Sequence, residues 1–150
     1  LITIGAVSVI WIWQGPLIVF RIQLWLLVHG GWSDLDNWVV HADRYLPYLV
    51  EEAGNTTPIR SGMVRLTNRA EDAFERHRYL RVETVSDCVR IVLHATVGSI
   101  GDEFGYSHEE GATNAKRQQA GAMWRRWYQK HKHRLQWDSR RKVFIIRSRE

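Results

Sequence analysis

Cysteine is nearly absent: Cys88 stands alone in 150 residues. That excludes an intrachain disulfide framework and any zinc site built on several thiolates. Charge is missing from the first twenty residues altogether, and acid is scarce at the other end. From Ala115 to Glu150 only Asp138 and Glu150 stand against twelve Lys/Arg, a net of +10. Residues 1–114 hold nine Lys/Arg against fourteen acids, a net of −5. The formal +5 of the whole chain therefore describes no real surface. Apolar residues are not scarce: 45% apolar and 25% charged is a globular balance that excludes wholesale disorder and collagen-like sequence.

The motifs of common catalytic sites are missing as well. Ser61-Gly62 lacks the G-x-S-x-G elbow, and no glycine-rich phosphate loop occurs. None of His41, His77, His94, His108, His131 and His133 has H-E-x-x-H spacing, and two residues apart His131 and His133 point to different helix faces. Glu51-Glu52 and the group Glu71, Asp72 and Glu75 have the spacing of helix-surface acids, not of a paired-carboxylate site. Cys88 falls among valines on its predicted helix, the setting of an inert buried thiol. The expectation is no catalytic residue, no metal ligand, no cofactor and no small-molecule substrate, so the chain is read as not an enzyme.

What is present divides the chain in two, residues 1–30 and 31–150. The head, Leu1 to Val28, is interrupted by polar groups only at Thr3, Ser8, Gln14, Arg21 and Gln23. An uncharged run of about twenty residues is long enough for a bilayer's hydrocarbon core, and Trp11, Trp13 and Arg21 suit its boundaries. Gln14-Gly15-Pro16 breaks the run, which also permits a buried helical hairpin with Pro16 opening its second helix and Gly30-Gly31 ending it. An export signal is the third reading, although no basic n-region precedes the run. Membrane or envelope association follows from the first and third readings, a cytoplasmic place from the second.

The middle reads as short helices. Ser33-Asp34-Leu35-Asp36 is a helix start, and Leu35, Trp38, Val39, Ala42, Leu46, Leu49, Val50 and Ala53 make one apolar face that Gly54 ends. Pro47 inside this pattern kinks or divides the helix. Thr57-Pro58 predicts a second start, with Ile59, Met63 and Leu66 behind it. Asn68-Arg69-Ala70-Glu71 predicts a third, burying Ala70, Ala73 and Phe74. A fourth covers about Thr84 to Val97, with Val85, Cys88, Val89, Val92 and Thr96 inward. With no clear hairpin signal here, the expected class is all-α.

In the last third a long helix is predicted from about Asn114 to His133. Ala120, Met123, Trp124, Trp127 and His131 line one face, and cations cover much of the remainder. Val143-Phe144-Ile145-Ile146 then makes a terminal strand or a tail across the core. Phe104-Gly105-Tyr106, Trp124-x-x-Trp127-Tyr128, Leu135-x-Trp137-Asp138 and Phe144 keep their order across residues 101–146. In this the segment resembles the C-terminal end of bacterial HEAT-repeat-like proteins. The resemblance implies a HEAT-like stack of helices ending in a short aromatic tail, a scaffold or interaction role with a protein partner, and no catalytic residue. On that reading Phe104, Tyr106, Trp124, Trp127, Trp137 and Phe144 form an aromatic cap over the open end of the stack. Arg125, Arg126, Lys130, Lys132, Arg140 and Arg141 form a candidate anion-binding set, open to nucleic acid or anionic lipid. One feature discriminates: an exposed, unpaired row of these cations favours a phosphate partner, and neutralisation by acids of the middle region favours the scaffold.

Overall fold

The structure, a computed structural model, describes residues 2–30, 33–60, 64–65, 82–97 and 112–147, with 2–14, 33–34 and 64–65 as backbone alone. Element order is α1 (Ile2–His29), β1 (Ser33–Asp34), α2 (Leu35–Val40), α3 (Ala42–Glu52), β2 (Val64–Arg65), α4 (Val85–Val97), α5 (Asn114–His131), β3 (Leu135–Asp138) and β4 (Val143–Ile146). In β1 and β2 Ser33 pairs with Val64 and Asp34 with Arg65 in parallel, while β3 and β4 form an antiparallel hairpin running from Leu135↔Ile146 to Asp138↔Val143.

The core is centred on α4, whose residues from Val85 to Leu93 are all buried. Around it pack α1, α2, α3, α5 and β4. The helix starts where a capping box dictates. Asp87, three residues after the cap position Thr84, accepts the Thr84 N–H at 3.0 Å, satisfying one of the four donors a helix leaves orphaned. Ser86 Oγ donates to the Ala53 carbonyl at 2.6 Å and the Ser86 N–H to Asn55 at 2.8 Å, tying the end of α3 to the start of α4.

The second half of α1 belongs to this core. Phe20 and Leu27 are fully buried, and the Phe20 ring meets Trp38, Tyr45 and Tyr48 at 5.0, 5.7 and 5.8 Å. Trp38 Nε1 donates to Gln23 Oε1, so a buried indole on α2 is satisfied by a polar residue of α1. Helix α1 runs unbroken through Pro16, so of the three readings of the head the hairpin gives way to one helix. An interior proline costs a helix about 3 kcal/mol; the burial of Phe20, Leu24, Leu27 and Val28 offsets it. Among the described residues, no helix is long and apolar enough to cross a membrane.

The described residues do not show the expected all-α, HEAT-like stack. The fold is mostly helical but carries a two-stranded antiparallel sheet, and its helices surround α4 instead of stacking as repeated pairs. The tail from Leu135 to Ile146 is that hairpin, because Leu135, Trp137, Phe144 and Ile146 alternate onto one face and three of them reach the core. A second departure lies at Thr57-Pro58. Pro58 bridges Thr84, the Thr57 carbonyl takes the Val85 N–H at 3.0 Å, and Ile59 N–H binds Glu83 at 3.0 Å. The backbone groups a helix would use there are committed to the segment before α4. Between Leu35 and Glu52 the chain divides at His41 and not at Pro47, which sits within α3. The helix expected from Asn68 lies outside the described residues.

Candidate functional site

The two sides of α5 hold different chemistry. Arg117, Ala120, Gly121, Trp124 and Trp127 recur at three- and four-residue steps and are buried. Trp124 and Trp127 meet edge-on at 5.5 Å and 81°, flanked by His94 at 6.3 Å and His131 at 5.4 Å. Helix α5 lies very close to the end of α3: a Cβ on Gly121 would sit 2.4 Å from the Gly54 nitrogen. Of the expected aromatic cap, the structure gathers Trp124 with Trp127 inside the core. Trp137 and Phe144 form a second pair, 4.8 Å apart across the hairpin. Phe104 and Tyr106 lie outside the described residues. The described landmarks of the C-terminal resemblance, Trp124, Trp127, Tyr128, Leu135, Trp137, Asp138 and Phe144, thus fall on one helix and one hairpin.

Sequence reasoning missed Arg117, placed among the surface cations. Its guanidinium is 4% exposed and donates from Nε to Asp87 Oδ1 and from Nη2 to Asp87 Oδ2, both at 3.0 Å. Nη2 also reaches Glu83 and Nη1 reaches Asn114, each at 3.2 Å. A signal was available: Arg117 falls on the same three-and-four series as Trp124, and Thr84-x-x-Asp87 marks a carboxylate at a helix start. This bidentate pair locks α5 to the first turn of α4 and is structural.

The other side of α5 is cationic. Arg125, Arg126, Lys130 and the capping residue Lys132 are exposed, and at 100° per residue they spread over the part of the helix surface that the buried series leaves free. Arg125 donates to the Glu51 carbonyl at 3.3 Å. Among the described residues, none of the four forms an ion pair with a carboxylate. Arg140 and Arg141 are exposed at the β3–β4 turn, where their backbone N–H groups both donate to Asp138 Oδ1 at 3.0 Å. A shallow cavity of about 300 Å³ beside that turn is lined by Gln136, Trp137, Asp138 and Arg140. Its carboxylate is already occupied by the turn itself.

Burial pushes the Cys88 thiol far above its usual range, and the Asp87 carboxylate adds to the shift, so no reactive thiolate forms. His131 titrates below its usual range because of burial, with Lys130 and Arg134 contributing. Among the described residues, no group of three or more His, Cys, Asp or Glu is placed to hold a metal ion.

One further surface lies on α1. Ile18, Val19, Ile22 and Trp25 are exposed, and His29 stacks on Trp25 at 4.4 Å and 18°. Comparison with family models, curated proteins and solved structures finds no match. The chemistry of these surfaces is therefore the whole basis for a functional reading.

Proposed function

We propose that this chain is a non-catalytic module that works at an anionic membrane surface through the cationic face of α5. One observation carries the reading: Arg125, Arg126, Lys130 and Lys132 are exposed together and no described carboxylate neutralises them. A basic segment gains about 1 kcal/mol per Lys or Arg near anionic lipid. The protein-scaffold reading drew its support from a repeat stack, which the described residues do not show.

Nucleic acid is the less favoured polyanion, for a geometric reason. Binding of single strands draws on rings that stack with bases beside the cations. On α5 the cations are exposed, but Trp124 and Trp127 are buried and their rings are closed to a base. The apolar face of α1 has no role on a nucleic acid, but it has one on lipid.

Sedimentation with phosphatidylcholine vesicles, with and without phosphatidylserine, tests the proposal. Anionic vesicles should bind the chain far better at low salt than at high salt. The triple variant Arg125→Gln/Arg126→Gln/Lys130→Gln should lose about a hundredfold of that gain, three cations at about 1 kcal/mol each. Equal binding to duplex DNA with no phosphatidylserine dependence would overturn it in favour of nucleic acid.

A further inference from the structure

We infer that the outward face of α1, formed by Ile18, Val19, Ile22 and Trp25, beds into the interfacial layer of a lipid bilayer while its inward face stays in the protein core. This rests on the membrane reading above for the kind of partner, and adds the surface that enters the lipid. Ile18, Ile22, Trp25 and His29 follow one another at steps of four, three and four, which places them in a single row along the helix. Ile22 is 54% exposed and Trp25 59%. Phe20 and Leu27 point the other way and are fully buried.

Lipid, and not a second copy of the chain, is the occupant for two reasons. The first is area. Four partly exposed side chains make a patch on the order of a few hundred Å², short of the ~800 Å² per partner of a standard protein interface. The second is charge pattern. The sequence of α1 is strongly apolar without a polar side, and no charge precedes Arg21. A helix apolar on every side is covered on every side, by protein or by lipid. The core covers one side of the second half. A surrounding apolar medium suits the outward row of that half, Ile18, Ile22 and Trp25, better than one more protein face does.

The details at the edge fit an interface. Trp25 presents an amphipathic ring of the kind enriched at headgroup level. Arg21 is exposed beside the row, where its long stem can lie on apolar surface while the guanidinium reaches phosphate. At the end of the row, His29 Nδ1 pairs with the Trp25 carbonyl at 2.9 Å, covering one of the carbonyls a helix end leaves open.

A spin label at position 22 tests the inference. Ile22→Cys replaces an exposed side chain, and Cys88 is buried and stays unlabelled in the folded chain. The labelled full chain is bound to neutral and to phosphatidylserine-containing vesicles, and collisions with oxygen and with a water-soluble nickel chelate are compared. On binding, accessibility to oxygen should rise severalfold relative to the chelate. The same label at the exposed turn residue Ser139 should remain in water.

A label at 22 that stays open to the chelate on bound protein overturns the inference and leaves the cationic reading standing. A label shielded from both reagents overturns it in favour of a second copy. A label that enters neutral vesicles with no added binding to phosphatidylserine upholds the inference and sinks the cationic reading instead.

Discussion

Arg117 grips Asp87 with two parallel hydrogen bonds of 3.0 Å, thirty residues apart in sequence and both almost fully buried. Asp87 also closes the capping box of α4, accepting the Glu83 and Thr84 N–H groups at 3.0 Å each. One carboxylate therefore starts the central helix and receives the helix that packs on it. Arg117→Met removes the bidentate cation from that buried carboxylate and should cost about 3–5 kcal/mol. Glu83, 41% exposed, is a minor partner, and Glu83→Gln should cost less than about 1 kcal/mol. Urea denaturation of the two variants checks the difference.

Trp127→Ala should destabilise the chain by about 3–5 kcal/mol, as large-to-small changes in a core do. Trp127 is buried and bears on both Trp124 and His131. Trp137 is half-buried and its ring partner is Phe144 on the hairpin. Its loss in Trp137→Ala should leave the cooperative transition in place and cost clearly less. Equal losses of melting temperature would argue for one aromatic cap instead of two pairs.

Gly121→Ala should destabilise the protein although alanine is the better helix former by about 1 kcal/mol. The added methyl would meet the Gly54 backbone at 2.4 and 2.5 Å, and backbone cannot swing aside as a side chain can. Forcing α3 and α5 apart should cost about 1–3 kcal/mol net. Thermal unfolding of the variant reads this directly.

Lys142 has φ of 55°, the left-handed conformation that glycine adopts without a Cβ penalty. It ends the turn between β3 and β4, and its N–H donates to the Asp138 carbonyl at 2.8 Å. Lys142→Gly should therefore stabilise the chain by about 1 kcal/mol. A fall in the denaturation midpoint would contradict the turn geometry.

His131 links stability to pH. Burial lowers its folded pKa, with Lys130 and Arg134 contributing, and Nδ1 is buried without a hydrogen-bond partner. The helix C-terminus favours a cation there, but by less. Below about 6.5, the ordinary histidine value, the unfolded chain takes the proton first. Stability from this group is thus complete above that pH and declines as pH falls toward the folded pKa. His131→Gln should flatten this part of the profile of unfolding free energy against pH.

Local periodicity was readable along α2, α3 and α4. All eight residues from Leu35 to Ala53 assigned to an apolar face are buried, as are Val85, Cys88, Val89, Val92 and Thr96 on α4. Thr57-Pro58 misled because a cap and a proline mark a helix start only if the following backbone is not engaged elsewhere; here it binds Glu83 and Val85. The hairpin escaped notice because each strand has four residues and a run of cations separates them. Four residues carry too little alternation to distinguish a strand from a tail.

The candidate site divided along the same line. Which residues were cationic was plain, but their sides were not. Arg117 looked like Arg125 in sequence but is buried where Arg125 is exposed, since a guanidinium enters a core where a carboxylate from another helix meets it.

By itself, then, the sequence determined the uncharged head, the basic end and the inward face of each well-marked helix, because these follow from side-chain chemistry and a 3.6-residue period. Only the tertiary structure decided that half of α1 joins the core, that the last segment is a hairpin, and that the tryptophans of α5 are buried with Arg117 while its other arginines stay exposed. Those outcomes depend on contacts between residues far apart in the chain, such as Gln23 with Trp38 and Asp87 with Arg117, and no local pattern contains them.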